Sequence, residues 1–190
     1  DVLTGRVNPC GRLTDTIAEC IEDYPCTANF GDAKRNYYKE DIYVGYRYFE
    51  TFAKNKVIYP FGYGLSYTTF EYSDLKISPA IITPNQQTFV TCKVTNTGKR
   101  AGDEVVQLYV RDVLSSVTTY EKNLAGFERV HLQPGETKEV TFPIDRKALE
   151  LLNADMHWVV EPGDFTLMVG ASSTDIRLNG TLTVVEPGRI

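Results

Sequence analysis

Two carboxyl groups that converge on one bond can divide nucleophilic and acid–base work between them. Three stretches bring carboxylates close along this chain: Glu19, Glu22 and Asp23; Glu40 and Asp41; Asp103 and Glu104. Neighbours on a strand point to opposite faces, so neither Glu40/Asp41 nor Asp103/Glu104 makes a natural dyad. These side chains read as surface charges. His131 and His157 stand apart from any serine or cysteine motif and read as satisfied surface or turn residues rather than bases. Cys10, Cys20, Cys26 and Cys92 include no C-x-x-C pair and have only two histidines to join, which argues against structural zinc. No residue set points to a catalytic centre, a metal or a cofactor.

Cys92 sits in a strand pattern and reads as a buried small hydrophobe. A Cys20–Cys26 bridge fits the spacing without being required by it. The thiols read as free, which fits a reducing compartment, cytoplasmic rather than secreted. Tyr37, Tyr38, Tyr43, Tyr46, Tyr48 and Phe49 form a ring-rich stretch. Aromatic faces suit pyranose C–H groups, and Arg47 could bond hydroxyls. The same rings could instead pack this segment onto a neighbouring domain. Packing is the preferred reading for Tyr43, Tyr46, Arg47 and Tyr48, with sugar contact as the alternative.

The elements that would position these groups are mostly strands. Phe70 to Ile77 alternates apolar and polar, with a slip between Tyr72 and Leu75 that predicts a bulge. Thr88 to Asn96 alternates cleanly and puts Val90, Cys92, Val94 and Asn96 on the core face. Asn96 to Gly102 reads as a hairpin loop with two glycines at positive φ. In the next strand Val106, Leu108 and Val110 point inward and Val105, Gln107 and Tyr109 outward. Ser115 to Thr119 reads as a crossover loop, and Leu124 to Leu132 as a further strand. Gln133-Pro134-Gly135-Glu136 is a type II turn. Pro143 marks the end or edge of the strand at Val140 to Ile144. Asp145 caps a short helical turn. Trp158, the only tryptophan, reads as core. Phe165 to Gly170 and Ile176 to Val185 complete seven or eight strands at roughly 8–12-residue spacing, the count of an immunoglobulin-like sandwich.

A 190-residue chain that is 42% apolar and 24% charged is ordinary globular material. Its net charge of -5 argues against nucleic-acid and anionic-membrane partners, which need a basic field. No apolar run approaches the roughly 20 residues that span a bilayer. Asp1 to Gly5 has neither an initiator Met nor the character of a signal peptide, as expected of a piece cut from a longer chain.

Several motifs recur in a fixed order: Val94-Thr95-Asn96-Thr97-Gly98, Gly102-Asp103-Glu104-Val105-Val106-Gln107-Leu108-Tyr109-Val110, Leu124-Ala125-Gly126-Phe127-Glu128-Arg129-Val130, Leu132-Gln133-Pro134-Gly135-Glu136 and Glu161-Pro162-Gly163-Asp164-Phe165. Together they resemble the fibronectin type III-like domain that closes enzymes of glycoside hydrolase family 3. Tyr59-Pro60-Phe61-Gly62-Tyr63-Gly64-Leu65-Ser66-Tyr67-Thr68-Thr69-Phe70 resembles the family's junction into that domain. Asn8-Pro9-Cys10-Gly11-Arg12-Leu13 resembles a loop near the end of its α/β sandwich domain, with Cys10 where serine is usual. Tyr37 to Phe49 is similar to the stretch before the junction.

The resemblance implies a mainly β chain. Residues 1–69 would be an irregular tail from the α/β sandwich domain plus the junction, and residues 70–186 an immunoglobulin-like, fibronectin type III-like β-sandwich. It also implies a parent that hydrolyses β-glycosides with retention, β-glucosidase-like. Such a parent uses an aspartate nucleophile in a TIM-barrel domain and a glutamate acid/base in the α/β domain. Neither position falls in this chain, so no catalytic residue is carried over. The expected partners are the parent's remaining catalytic domains and its β-glycoside substrate, together with self-association through the N-terminal segment. The alternative is a carbohydrate-binding or protein-interaction module, with Tyr72, Tyr109, Tyr120 and Phe127 as an exposed aromatic strip.

Overall fold

The computed structural model describes residues 1–188. In chain order its strands are β1 (Ile17–Ala18), β2 (Val57–Tyr59), β3 (Phe70–Ser78), β4 (Ile81–Ile82), β5 (Thr88–Asn96), β6 (Gly102–Asp112), β7 (Asn123–Leu132), β8 (Thr137–Ile144), β9 (Leu151–Leu152), β10 (Trp158–Val159), β11 (Gly163–Gly170) and β12 (Ile176–Val184). Helix α1 covers Tyr46–Phe52 and α2 covers Arg146–Leu149. A three-stranded sheet, β3-β5-β8, faces a five-stranded one, β4-β12-β11-β6-β7. All of these pairs are antiparallel except β12–β4. The result is a mainly β sandwich.

Period-two alternation sets its core. Val90, Cys92 and Val94 of β5 are buried against Val106, Leu108 and Val110 of β6 and Phe165, Leu167 and Val169 of β11. Burial pushes the Cys92 thiol up to about 11, so it packs as a neutral apolar group. The slip expected in β3 is a register shift between Ser73 and Lys76, with Asp74 at φ 54. Gly135 takes φ 76 in the turn after β7, where the Glu136 amide donates to the Gln133 carbonyl at 2.9 Å. Asp145 caps α2 through the Lys147 amide, at 3.0 Å.

Some expectations fail. Asn96 to Gly102 is no hairpin, because β5 and β6 belong to different sheets and the segment crosses between them. Neither Gly98 nor Gly102 has positive φ; a Cβ would instead lie 2.1 Å from Thr68 Oγ1 at Gly98 and 2.4 Å from Asn8 Nδ2 at Gly102. Conversely, Ser115 to Thr119 does not cross over, since it joins the paired strands β6 and β7. Trp158 lies in β10 but is 58% exposed: that two-residue strand pairs only with β9, outside both sheets.

The tail before Phe70 is less irregular than its sequence suggests. β1 and β2 pair into a two-stranded ribbon. Ala18, Phe49 and Ala53 form a small apolar cluster with Tyr24, Tyr48 and Val57 packed against it. So small a cluster cannot stabilise a domain by itself; what orders the tail is the outer face of β6.

Candidate functional site: the tail–sandwich seam

Gln107 and Tyr109 point away from the sandwich core, as their parity predicts, yet they are 3% and 0% exposed. The tail covers them. Gln107 Nε2 donates to the Gly62 carbonyl at 3.2 Å and to the Ala171 carbonyl at 2.7 Å, while its Oε1 accepts from the Tyr109 hydroxyl at 2.6 Å. The Ser173 amide donates to the Phe61 carbonyl at 2.9 Å. Gly62 is required here twice over: its φ is 79, and a Cβ would lie 2.1 Å from Gln107 Oε1. The outer face of β6 is thus a second, smaller core whose other half is the junction segment.

Two buried ion pairs flank it. Arg12 Nη2 from the tail donates to Glu104 Oε2 at 2.6 Å, and the Tyr72 hydroxyl donates to Glu104 Oε1 at 2.7 Å. Their side chains are 12% and 2% exposed for Arg12 and Glu104. Burial holds the Glu104 carboxyl above the usual range, although Arg12 and the Tyr72 bond pull it down. Burial, and then Glu104 itself, push the Tyr72 phenol far up, so it remains a donor. In the second pair Lys122 Nζ lies 3.2 Å from Glu50 Oε2 and donates to the Ser173 carbonyl at 2.7 Å. The Ser173 hydroxyl donates to Glu50 Oε1 at 2.6 Å.

Glu104 was expected at the surface and is buried. Counting back by twos from Val106 puts it on the inner face, at the end of the core, so the signal was present in the alternation. Asp103 points outward, across the ladder from His131. It bonds Arg129 and lies 2.5 Å from His131 Nδ1. Burial raises its carboxyl, but the Arg129 and His131 bonds outweigh that and hold it below the usual range. Asp23 pairs with Lys56 at 3.4 Å and accepts from Cys20 Sγ at 3.1 Å. Glu19, Glu22 and Asp41 are exposed, and Glu40 is half-buried. Cys10, Cys20, Cys26 and Cys92 are all free thiols.

Of the four tail residues singled out in the sequence, Tyr43, Tyr46 and Arg47 reach the sandwich, and Tyr48 packs within the tail. The Tyr46 ring stacks on Phe61 with centroids 4.4 Å apart, and its hydroxyl accepts from the Leu124 amide at 2.9 Å. Arg47 Nη2 donates to Asn123 Oδ1 at 2.6 Å, and its guanidinium lies 4.3 Å over the Tyr120 ring. The Tyr43 hydroxyl donates to the Thr119 carbonyl at 3.3 Å. Tyr48 packs edge-on to Phe49 at 5.3 Å. Of the rings proposed as an exposed strip, Tyr72 and Tyr109 are buried and Tyr120 is half-buried; only Phe127 is open, at 66%.

Sequence reasoning missed Arg12, Glu50, Lys122 and Ser173. Their partners lie 51 to 123 residues away, and nothing local signals them. Chemically the seam is closed: each buried carboxylate has one oxygen facing a cation and the other accepting from a hydroxyl. That geometry fastens two chain segments and leaves no carboxylate directed at a substrate. Among the described residues no group of three or more His, Cys, Asp and Glu is placed to hold a metal.

Residues 1–67 match the glycosyl hydrolase family 3 C-terminal domain, and residues 104–173 match the fibronectin type III-like domain. The chain is 47% identical over 186 residues to thermostable beta-glucosidase B of Acetivibrio thermocellus, covering 97% of this chain and 24% of that protein. It is 44% identical to a beta-xylosidase of Formosa agariphila, covering 91% of this chain and 23% of that one. Beta-glucosidase 3B of Thermotoga neapolitana superposes with a TM-score of 0.89 at 43% identity, over 98% of this chain and 26% of its own. The chain thus spans about a quarter of the length of these relatives. With both domain types in one chain, joined by the Gly62–Gln107 seam, it belongs to glycoside hydrolase family 3, of which it carries C-terminal-domain sequence and the fibronectin type III-like domain.

Proposed function

We propose that this chain is a bracing portion of a retaining β-glycosidase, β-glucosidase-like, and is catalytically inert by itself. The seam carries the reading. Its buried carboxylates are consumed in holding tail to sandwich, so the sandwich gives the tail a rigid mount. A second observation says what the mounted tail meets. Most of the exposed large apolar side chains, among them Leu3, Ile21, Phe30, Tyr38 and Leu65, precede Thr68, in about a third of the chain. Among the described residues the ribbon of β1 and β2 has no third strand, and Ile17, Ile58 and Tyr59 are open on it. Such a ribbon is marginal alone and suits the margin of a larger domain. Tyr43, Tyr46, Arg47 and Tyr48 serve this mount as packing and hydrogen-bonding groups. Near-equal likeness to a β-glucosidase and a β-xylosidase supports a sugar choice made outside this portion.

The test is hydrolysis of a nitrophenyl β-glucoside by the chain alone. No turnover above buffer is expected. Turnover that a single substitution within the chain abolished would overturn the proposal.

A further inference from the structure

The sandwich has a second feature, separate from the buried carboxylate pairs of the seam. A cavity of about 480 Å³ opens between the β6–β7 loop, α2 and β10. Its floor is apolar, with Val110, Leu149 and Phe165 at 5%, 4% and 1% exposure. Trp158 lines it and is 58% exposed. Asp112, Asn123 and Lys147 also line it. Each has bonding capacity to spare among the described residues. Asp112 Oδ1 accepts the Leu114 amide at 3.2 Å, leaving Oδ2. Asn123 Oδ1 accepts from Arg47 at 2.6 Å, leaving the Nδ2 donors. The Lys147 amide is used by Asp145, leaving Nζ. The mouth is tied down where Ser116, in the β6–β7 loop, bonds Glu161 through its amide at 2.8 Å and through its hydroxyl.

We propose that this cavity binds a pyranose unit of an oligosaccharide. Its size lies in the range of small-molecule sites, roughly 300–1,000 Å³, where an apolar lining carries a few convergent polar groups. An indole face suits the C–H face of a sugar ring. Asp112 would accept two hydroxyls, and Asn123 and Lys147 would donate. Other ligand classes fit worse. An anion would meet Asp112, Glu150 and the nearby Glu161. An apolar ligand would bury Asp112 without a partner for Oδ2, which is costly. Burial already pushes the Asp112 carboxyl up, and hydroxyl donors to the carboxylate would reverse that. Sugar binding here is independent of bracing: either property can fail while the other stands.

The only tryptophan in the chain lines the cavity, so its emission reports occupancy directly. The full chain is titrated with cellotriose and, separately, with glycerol, by Trp158 fluorescence and by calorimetry. We expect saturable signals with cellotriose and none with glycerol, with a Kd on the order of 1 mM. Asp112→Asn should weaken binding about fivefold or more, the loss of one hydrogen bond. Trp158→Ala should remove the calorimetric signal while the thermal midpoint stays at that of the parent chain; if it unfolds, Trp158→Phe should bind more weakly in the folded state. Flat titrations to about 20 mM, equal response to glycerol, or undiminished binding in both the Asp112 and Trp158 variants would each overturn the proposal.

Discussion

Glu104 lies 2.6 Å from Arg12 and 2.7 Å from the Tyr72 hydroxyl, at the end of a core it also helps close. Removing one member of a buried ion pair orphans the other, and the two members are not equivalent here. Arg12→Ala leaves a buried carboxylate with only Tyr72, and at neutral pH it should cost about 3 kcal/mol in urea unfolding. Glu104→Gln keeps one acceptor for Arg12, while its NH2 can donate to the Tyr72 hydroxyl oxygen once that hydroxyl turns, and it should cost less. Arg12→Ala combined with Glu104→Gln should be more stable than Arg12→Ala alone, a coupling that a double-mutant cycle measures. The pH dependence has a definite sign. The Glu104 carboxyl is held above its usual range, so the unfolded chain gives up that proton first as pH rises. Stability from this group therefore falls from the ordinary carboxyl range upward through its folded value. The Arg12→Ala defect should shrink on acidification toward about pH 4.5, the usual carboxyl range. Asp103 acts in the opposite sense. Its carboxyl is held below the usual range, and its contribution is lost as pH falls through the folded value. The stability gap between the parent chain and Asp103→Asn should therefore narrow below about pH 4.

At the scale of elements, close approaches decide more than propensities. A Cβ at Gly170, the last residue of β11, would lie 2.1 Å from the Asp175 carbonyl in the tight turn into β12. That neighbour is backbone and cannot swing away. At Gly135 a Cβ would meet nothing within 4 Å, but φ is 76. Gly170→Ala should thus destabilise by about 3 kcal/mol or more through overpacking, and Gly135→Ala by about 1 kcal/mol through backbone strain. Chemical denaturation of the two variants gives the order directly; equal losses would contradict the steric account. Helix α1 has only seven residues, too few to be stable alone. What holds it is Phe49 below, the Tyr46 ring on Phe61, and the Tyr46 and Arg47 bonds at the start of β7. Tyr46→Phe keeps the stacking and frees the Leu124 amide, so a loss near 1 kcal/mol is expected.

The whole molecule is asymmetric in its surface. The sandwich closes its own core, while the tail presents Leu3, Ile21, Phe30 and Tyr38 to solvent. Exposed apolar side chains concentrated in one segment draw partners. Taken alone, the chain should therefore associate with itself. Light scattering at micromolar concentration should then return a mass above 21.4 kDa that falls on dilution. A monomer at every concentration would count against the tail as an unsatisfied interface, and against the bracing role that rests on it.

Alternation by itself determined the sandwich. Val90, Cys92 and Val94 declare their face because side chains on a strand have period two, and that period is local. The β3 bulge, the Gly135 turn and the Asp145 cap were legible for the same reason: each depends on residues within a few positions. Parity also placed Gln107 and Tyr109 outward. Only the tertiary structure decided that outward is still inside, because what covers a sheet's far face is a matter of which distant segment packs on it. Gly62 and Phe61 come from some 45 residues away, and Glu50 meets Ser173 across 123. Trp158 shows the converse. Its residue type says core, but its strand pairs outside both sheets, so it stays at a cavity's edge. Local chemistry can be read along a chain; burial depends on what the fold places opposite.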